Sequence, residues 1–166
     1  IGGASIDDAV FVPPVHSSIG MLISDLEHFV HDDQWHFPEL LKVALVHYQF
    51  ETIHPFLDGN GRTGRLLISL LLHERTTMTK PVLYLSTYFK RHQSDYFRCL
   101  TAVREDGDWE GWLGFFLDGV SDSAATAAAT ATCIHAMRDR DRQRATGAAD
   151  GIAGLALEKS QGAHSR

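Results

Sequence analysis

His54-Pro-Phe-Leu-Asp-Gly-Asn-Gly-Arg-Thr-Gly-Arg65 gathers an imidazole, a carboxylate, an amide, three glycines and two arginines into one short stretch, followed at once by an apolar run. That is the composition of a phosphate site. Glycines let main-chain N–H groups approach an anion, and the free N–H groups and positive dipole end of a following helix favour negative charge there. The stretch is not a Walker loop, because no Lys-Ser/Thr pair follows the glycines. Gly59-Asn-Gly61-Arg-Thr-Gly64 has dinucleotide-fingerprint spacing, but that fingerprint follows a strand, and the residues before this one read as helix.

Upstream, Glu39 to Ile53 spaces Leu40, Leu41, Val43, Ala44, Val46, Tyr48 and Phe50 as a largely buried helix that Pro55 ends. Downstream, Arg65 to His73 is apolar on nearly every side, as expected in the middle of a helical domain. The arrangement is helix, anion loop, helix, and it sets the fold class as all-α. Ser18 to Val30 reads as an amphipathic helix, and Pro81 to Ser86 as a short extended connection. Ser94 is read as the cap of a helix carrying Tyr96, Phe97, Leu100 and Val103 that Gly107 closes. Trp109 to Val120 and the alanine-rich Ala124 to Arg144 read as two further helices. Residues 1–120 are expected to form the core, 121–145 a last helix of the same domain, and 146–166 a flexible tail or linker.

Within the loop, His54 is suited to act as a base that is neutral near pH 7. Asp58 before a glycine is either a turn residue or a hard oxygen ligand for a divalent cation. Gly59 and Gly61 would offer main-chain N–H groups, with Asn60 tolerating an unusual backbone angle and donating from its amide. Arg62 and Arg65, three apart, would share a helix face and present planar forks to phosphates. Pro55 and Phe56 are loop-shaping and packing residues. Near the start, Ala9, Val10, Phe11 and Val12 are short, β-branched and aromatic before Pro13-Pro14, which suggests an edge strand or hairpin arm, or else a surface loop.

His54 to Arg62, HPFLDGNGR, matches at every defined position the Fic signature H-P-F-x-[D/E]-G-N-[G/K]-R, and the chain resembles that family over roughly its first three quarters. The resemblance implies a Fic-like helical bundle around a helix-loop-helix active site, with a short β-hairpin flap at about residues 5–14. It implies transfer of AMP from ATP to a Ser, Thr or Tyr hydroxyl of a target protein, with release of pyrophosphate. His54 would be the base and Asp58 the ligand for Mg²⁺ or Mn²⁺. Gly59, Asn60, Gly61, Arg62, Gly64 and Arg65 would hold the phosphates, Arg65 at the γ-phosphate. Tyr96, otherwise a core aromatic, would meet the nucleotide. Ala9, Val10, Phe11 and Val12 would dock a target segment by strand addition, which accepts varied side chains.

Gly61 departs from the Lys of Doc-like relatives that transfer a phosphate, which favours AMP transfer. Transfer of another nucleotide or phosphoryl group, and a catalytically idle binding scaffold, are the alternatives. The downstream helices resemble those of bacterial members whose inhibitory helix, [S/T]-x-x-x-E-[G/N], lies before the flap. No such segment stands ahead of the flap, and Ala153 to Lys159 lacks the required residues, so the expectation is a competent fragment of a normally restrained protein.

The 166 residues, 44% hydrophobic and 10% aromatic, suffice for one sizeable core. A net charge of −6 and a pI near 5.9 argue against nucleic-acid or anionic-membrane binding and favour a protein as partner, with ATP as the resemblance implies. Cys99 and Cys133 are too isolated for a zinc set or a disulfide framework, and Cys99 is expected in the core. With no signal-peptide pattern and no long apolar run, the expected location is the cytoplasm. Nothing in the loop specifies an oligomeric state.

Overall fold

A computed structural model describes residues 9, 11–32, 34, 37–75 and 84–162, of which 75 and 147–162 are described by backbone alone. The described chain is helical, in the order α1 His16–His31, α2 Glu39–Ile53, α3 Asn60–Arg75, α4 Leu85–Arg91, α5 Gln93–Asp106 and α6 Trp109–Gly162. Two compact units are distinguished, Ile1–Ala124 and Ala125–Arg166.

In the first unit α2 is the central element. Val43, Ala44, Val46, Tyr48, Phe50 and Ile53 are all buried, so its apolar residues face neighbours on every side. Against it pack α1, through Leu26, and α3, through Ile68, Leu71 and Leu72. Trp112 of α6 is fully buried and donates its indole N–H to the Ala44 carbonyl at 3.1 Å, satisfying the one polar atom of a large apolar ring. Phe89, Tyr96, Trp112, Phe115 and Phe116 form an aromatic layer joining α4, α5 and α6. Lys42, also buried, donates to the Asp32 carbonyl at 2.8 Å and ties the end of α1 to α2. Cys99 lies in the core as expected, while Cys133 is exposed and free.

Helix α2 has the predicted bounds, and the predicted Ser18–Val30 helix is α1 with a short extension at each end. Gly107 closes α5 in the left-handed conformation, φ 71°, with Asp108 N–H returning to the Ala102 carbonyl and Gly107 N–H to that of Val103. Other expectations need correction. Ser94 is the second residue of α5, which begins after His92 with no side-chain cap. Leu85 and Ser86 open helix α4 rather than closing an extended connection, and 81–83 lie outside the described residues. Trp109 to Val120 and Ala124 to Arg144 are one helix, because nothing between them breaks it and alanine propagates helix well. The same backbone helix continues from 146 to Gly162.

No strand occurs among the described residues. Ala9 and Phe11 to Pro14 belong to no ladder, and Val10 and 5–8 lie outside the described residues. A strand exists only when a partner closes hydrogen bonds, and Pro13 and Pro14 bring no donors, so the expected β-hairpin is not formed by these residues. Phe11 instead lies against α5, its ring 4.2 Å from the Arg104 guanidinium carbon.

In the second unit the described side chains of α6 from Ala125 to Thr146 are nearly all exposed, Ile134 and Met137 included. No described helix is long and apolar enough to cross a membrane.

Candidate active site

Helix α2 ends in a residue that pays a conformational cost. His54 takes the left-handed conformation, φ 49° and ψ 58°, the one non-glycine residue with positive φ among those described. Such a backbone costs about 1–2 kcal/mol in an L-residue and marks a constrained position. Its N–H still bonds the Phe50 carbonyl at 3.0 Å, and Pro55 prevents the helix from continuing. The ring is anchored on the same turn, with Nδ1 3.3 Å from the Glu51 carbonyl. A carbonyl can only accept, so Nδ1 carries the proton and Nε2 is left as the basic nitrogen. Partial burial pushes the imidazole pKa down, so the ring is neutral at pH 7.

From His54 the chain turns back within five residues. Gly59 has φ 86°, a conformation that side chains rarely adopt, and its carbonyl accepts from the Thr63 N–H at 2.9 Å to start α3. The turn is locked by Asn60, which is buried. Its Oδ1 accepts from the Phe56 N–H at 2.9 Å and its Nδ2 donates to the Phe56 carbonyl at 2.6 Å. The amide oxygen and one amide N–H are therefore engaged by the loop, and Asn60 stands in the first turn of α3. The loop proper is 54–59, and residues 60–65, expected as loop, are already helix. The first-turn N–H groups of α3, at Asn60, Gly61 and Arg62, lack partners one turn back and so form an anion-binding end.

The two arginines fold back over this end. The Arg62 guanidinium lies 3.5 Å from where a Gly59 Cβ would stand, and that of Arg65 3.0 Å from where a Gly61 Cβ would stand. Arg62 donates to Asp58 Oδ2 at 2.9 Å, while Asp58 Oδ1 accepts from the Gly59 N–H at 2.6 Å. The pair is open to solvent, with side chains 74% and 91% exposed, so it contributes little stability and leaves both groups accessible to ligand. Among the described residues no three His, Cys, Asp or Glu side chains cluster as a metal set. A single exposed carboxylate beside a phosphate site does fit Mg²⁺, which typically takes one or two carboxylates together with substrate phosphates.

Arg65 also borders a second space, a cleft of about 330 Å³ lined with Ser86, Phe89, Lys90, Gln93, Tyr96 and Phe97. Tyr96, expected at a nucleotide, is mostly core. It is buried, stacks on Phe89 at 5.0 Å, and its hydroxyl lies 3.0 Å from Nε2 of the fully buried His47. Burial pushes its phenol pKa up, so it stays protonated. Its neighbour Phe97 is 52% exposed and offers the cleft a free aromatic surface that the sequence reading passed over. An aromatic next to an expected contact was the available signal.

Two more residues escaped notice. His47 and Glu51 stand one turn apart on α2 and face Gly64. A Cβ on Gly64 would collide with Glu51 Oε1 and lie 3.1 Å from the His47 ring, so glycine there permits close approach of α2 and α3. Burial holds the His47 pKa at about 4, and burial raises that of Glu51 to about 7 despite the charge of Arg65. The sequence signal was a pair of ionisable residues four apart inside an otherwise apolar helix.

Residues 4–72 match the model of the Fic/DOC family. Two fruit flies supply curated relatives named "Protein adenylyltransferase Fic": that of Drosophila grimshawi is 34% identical over 108 residues and that of Drosophila virilis 36% identical over 110. The mosquito Aedes aegypti has one 33% identical over 108 residues. Each alignment takes in 64% of this chain but only 20–21% of the relative, so the chain spans about a fifth of their length. The crystal structure of a Fic family protein from Desulfovibrio desulfuricans superimposes with a TM-score of 0.65 at 31% identity. That match covers 78% of this chain and 38% of the other.

Proposed function

Because the chain belongs to the Fic/DOC family, we propose that it is a protein adenylyltransferase that moves AMP from ATP to a Ser, Thr or Tyr hydroxyl of a target protein. The observation that carries this reading is the pairing of a pre-aligned base with an anion-binding helix start. His54 presents a neutral Nε2 beside a loop whose turn is locked by Asn60 and whose far side is the N-terminus of α3. The names of the curated relatives support the same transfer.

In the proposed reaction the α-, β- and γ-phosphates lie along the first turn of α3, with Arg62 nearer the α/β region and Arg65 at the distal end. Phe97 and the exposed edge of Tyr96 border the space for the base. The target hydroxyl gives its proton to His54 Nε2 as its oxygen bonds to the α-phosphorus, and the bond to the α,β-bridging oxygen breaks to release pyrophosphate. Holding the three phosphates fixed supplies orientation and charge stabilisation together, so no covalent enzyme intermediate is required. Asp58 would hold Mg²⁺ or Mn²⁺, which when bound neutralises phosphate charge. Ala9 to Val12 would present the target as an added strand, and ATP supply points to the cytoplasm.

The reading is tested on the product. A protein modified by this chain with ATP and Mg²⁺ should gain one AMP on a hydroxyl side chain by tandem mass spectrometry. A gain of phosphate alone would replace the reading with phosphotransfer.

A further inference from the structure

Behind the loop lies a cluster of polar side chains, His47 and Tyr96 buried and Glu51 half-buried, that the transfer chemistry does not use. Glu51 contributes the carboxyl, with Oε1 shut off from solvent and without a hydrogen-bond partner. That oxygen packs against Gly64, immediately before Arg65 in α3. A carboxylate in such a place would ordinarily be paired, since burying an uncompensated charge costs several kcal/mol. The groups around it are few. On α2 stands His47, fully buried, its ring against the Gly64 backbone. From α5 comes Tyr96, whose hydroxyl is 3.0 Å from His47 Nε2 and whose phenol feels the charges of Glu51, Arg65 and Arg104. From α3 comes Arg65, whose charge acts on both Glu51 and His47. Its guanidinium lies over Gly61 and lines the cleft with Lys90.

We propose that Glu51 is a positioning residue for the distal phosphate subsite: its carboxyl, packed beneath the first turns of α3, sets how much of the Arg65 charge is available to a bound anion. This rests on the reading of Arg65 as a phosphate ligand. With Glu51 neutral, Arg65 faces the ligand uncompensated. With Glu51 ionised, the guanidinium is drawn toward an internal anion in a low-dielectric setting, and the subsite weakens. The Glu51 pKa of about 7 puts this change near neutrality. Because the same residue's carbonyl orients His54, the base and the distal phosphate arginine share one anchoring residue, its main chain serving one and its side chain the other.

The test is binding of a non-hydrolysable ATP analogue without metal, by calorimetry, from about pH 5 to about pH 8.5. Parent, Glu51→Gln and Glu51→Met are compared. The ligand titrates alike in all three, so only the ratio of affinities matters. Expected is a ratio near one at the acid end, rising to about fivefold in favour of both variants at the alkaline end. A ratio constant across the range overturns the proposal, and two variants of different polarity guard against a purely steric effect of either. Absence of binding by all three proteins at every pH would overturn the phosphate reading of Arg65 itself.

Discussion

Burial shifts the Glu51 and His47 pKa values in opposite directions. His47, held near 4, is neutral when folded and protonates on unfolding below its ordinary 6.5. Its contribution to stability is present above 6.5 and is lost as pH falls through 4. Glu51, raised from 4.5 to about 7, contributes stability that is present below 4.5 and lost as pH rises through 7. Between about 4.5 and 6.5 the folded pair holds one proton on Glu51 and the unfolded pair one on His47, so the two slopes cancel. Glu51→Gln removes one slope and exposes the other. Urea denaturation should show the variant gaining on its parent as pH rises from about 4.5 to about 7, by up to about 3 kcal/mol. An unchanging difference would mean that Glu51 is not held protonated. Asn60 teaches a different lesson at this scale. Its type predicted polarity near the phosphate, but the amide closes on Phe56, because a tight turn into a helix leaves main-chain groups that a short amide can satisfy.

The working element is the α2–loop–α3 unit, and its tightest point is Gly64. A Gly→Ala change inside a helix ordinarily gains about 1 kcal/mol from propensity alone. Here the added Cβ meets Glu51 Oε1 and the His47 ring, and overpacking of that kind costs about 1–3 kcal/mol. Gly64→Ala should therefore destabilise the parent in urea denaturation, and less so in a Glu51→Ala background, where only the His47 ring remains in the way. An equal loss in both backgrounds would show that the Glu51 contact does not limit the approach of α2 and α3. This unit was the most legible part of the sequence, because α2 and α3 carry dense apolar residues on either side of Pro55 and the glycines. Helix α4 was not legible. Only Leu85 and Phe89 of its seven residues are buried, too few to impose a period. The expected flap forms no strand at its described residues: a segment can carry strand propensity without specifying the partner that would complete a ladder.

At the scale of the molecule, the core helices set His54, the loop and the arginines in place, and the helical class was legible in apolar spacing together with the family resemblance. The boundary of the last helix did not. Alanine-rich sequence without proline reads equally as several helices or as one, and α6 is continuous from Trp109 to Gly162. What the pattern could not reveal was the reverse side of the site, where His47, Glu51 and Tyr96 come from two helices distant in sequence and meet only on folding. The central claim is that His54 directs an α-phosphate to a protein hydroxyl. Its most direct test uses ATP labelled separately on the α- and γ-phosphate, incubated with Mg²⁺, mixed acceptor proteins and either the parent chain or His54→Ala. Protein-bound label should come from the α-position alone and should vanish with His54→Ala. Retention of γ-label, or α-label undiminished in the variant, would contradict the account.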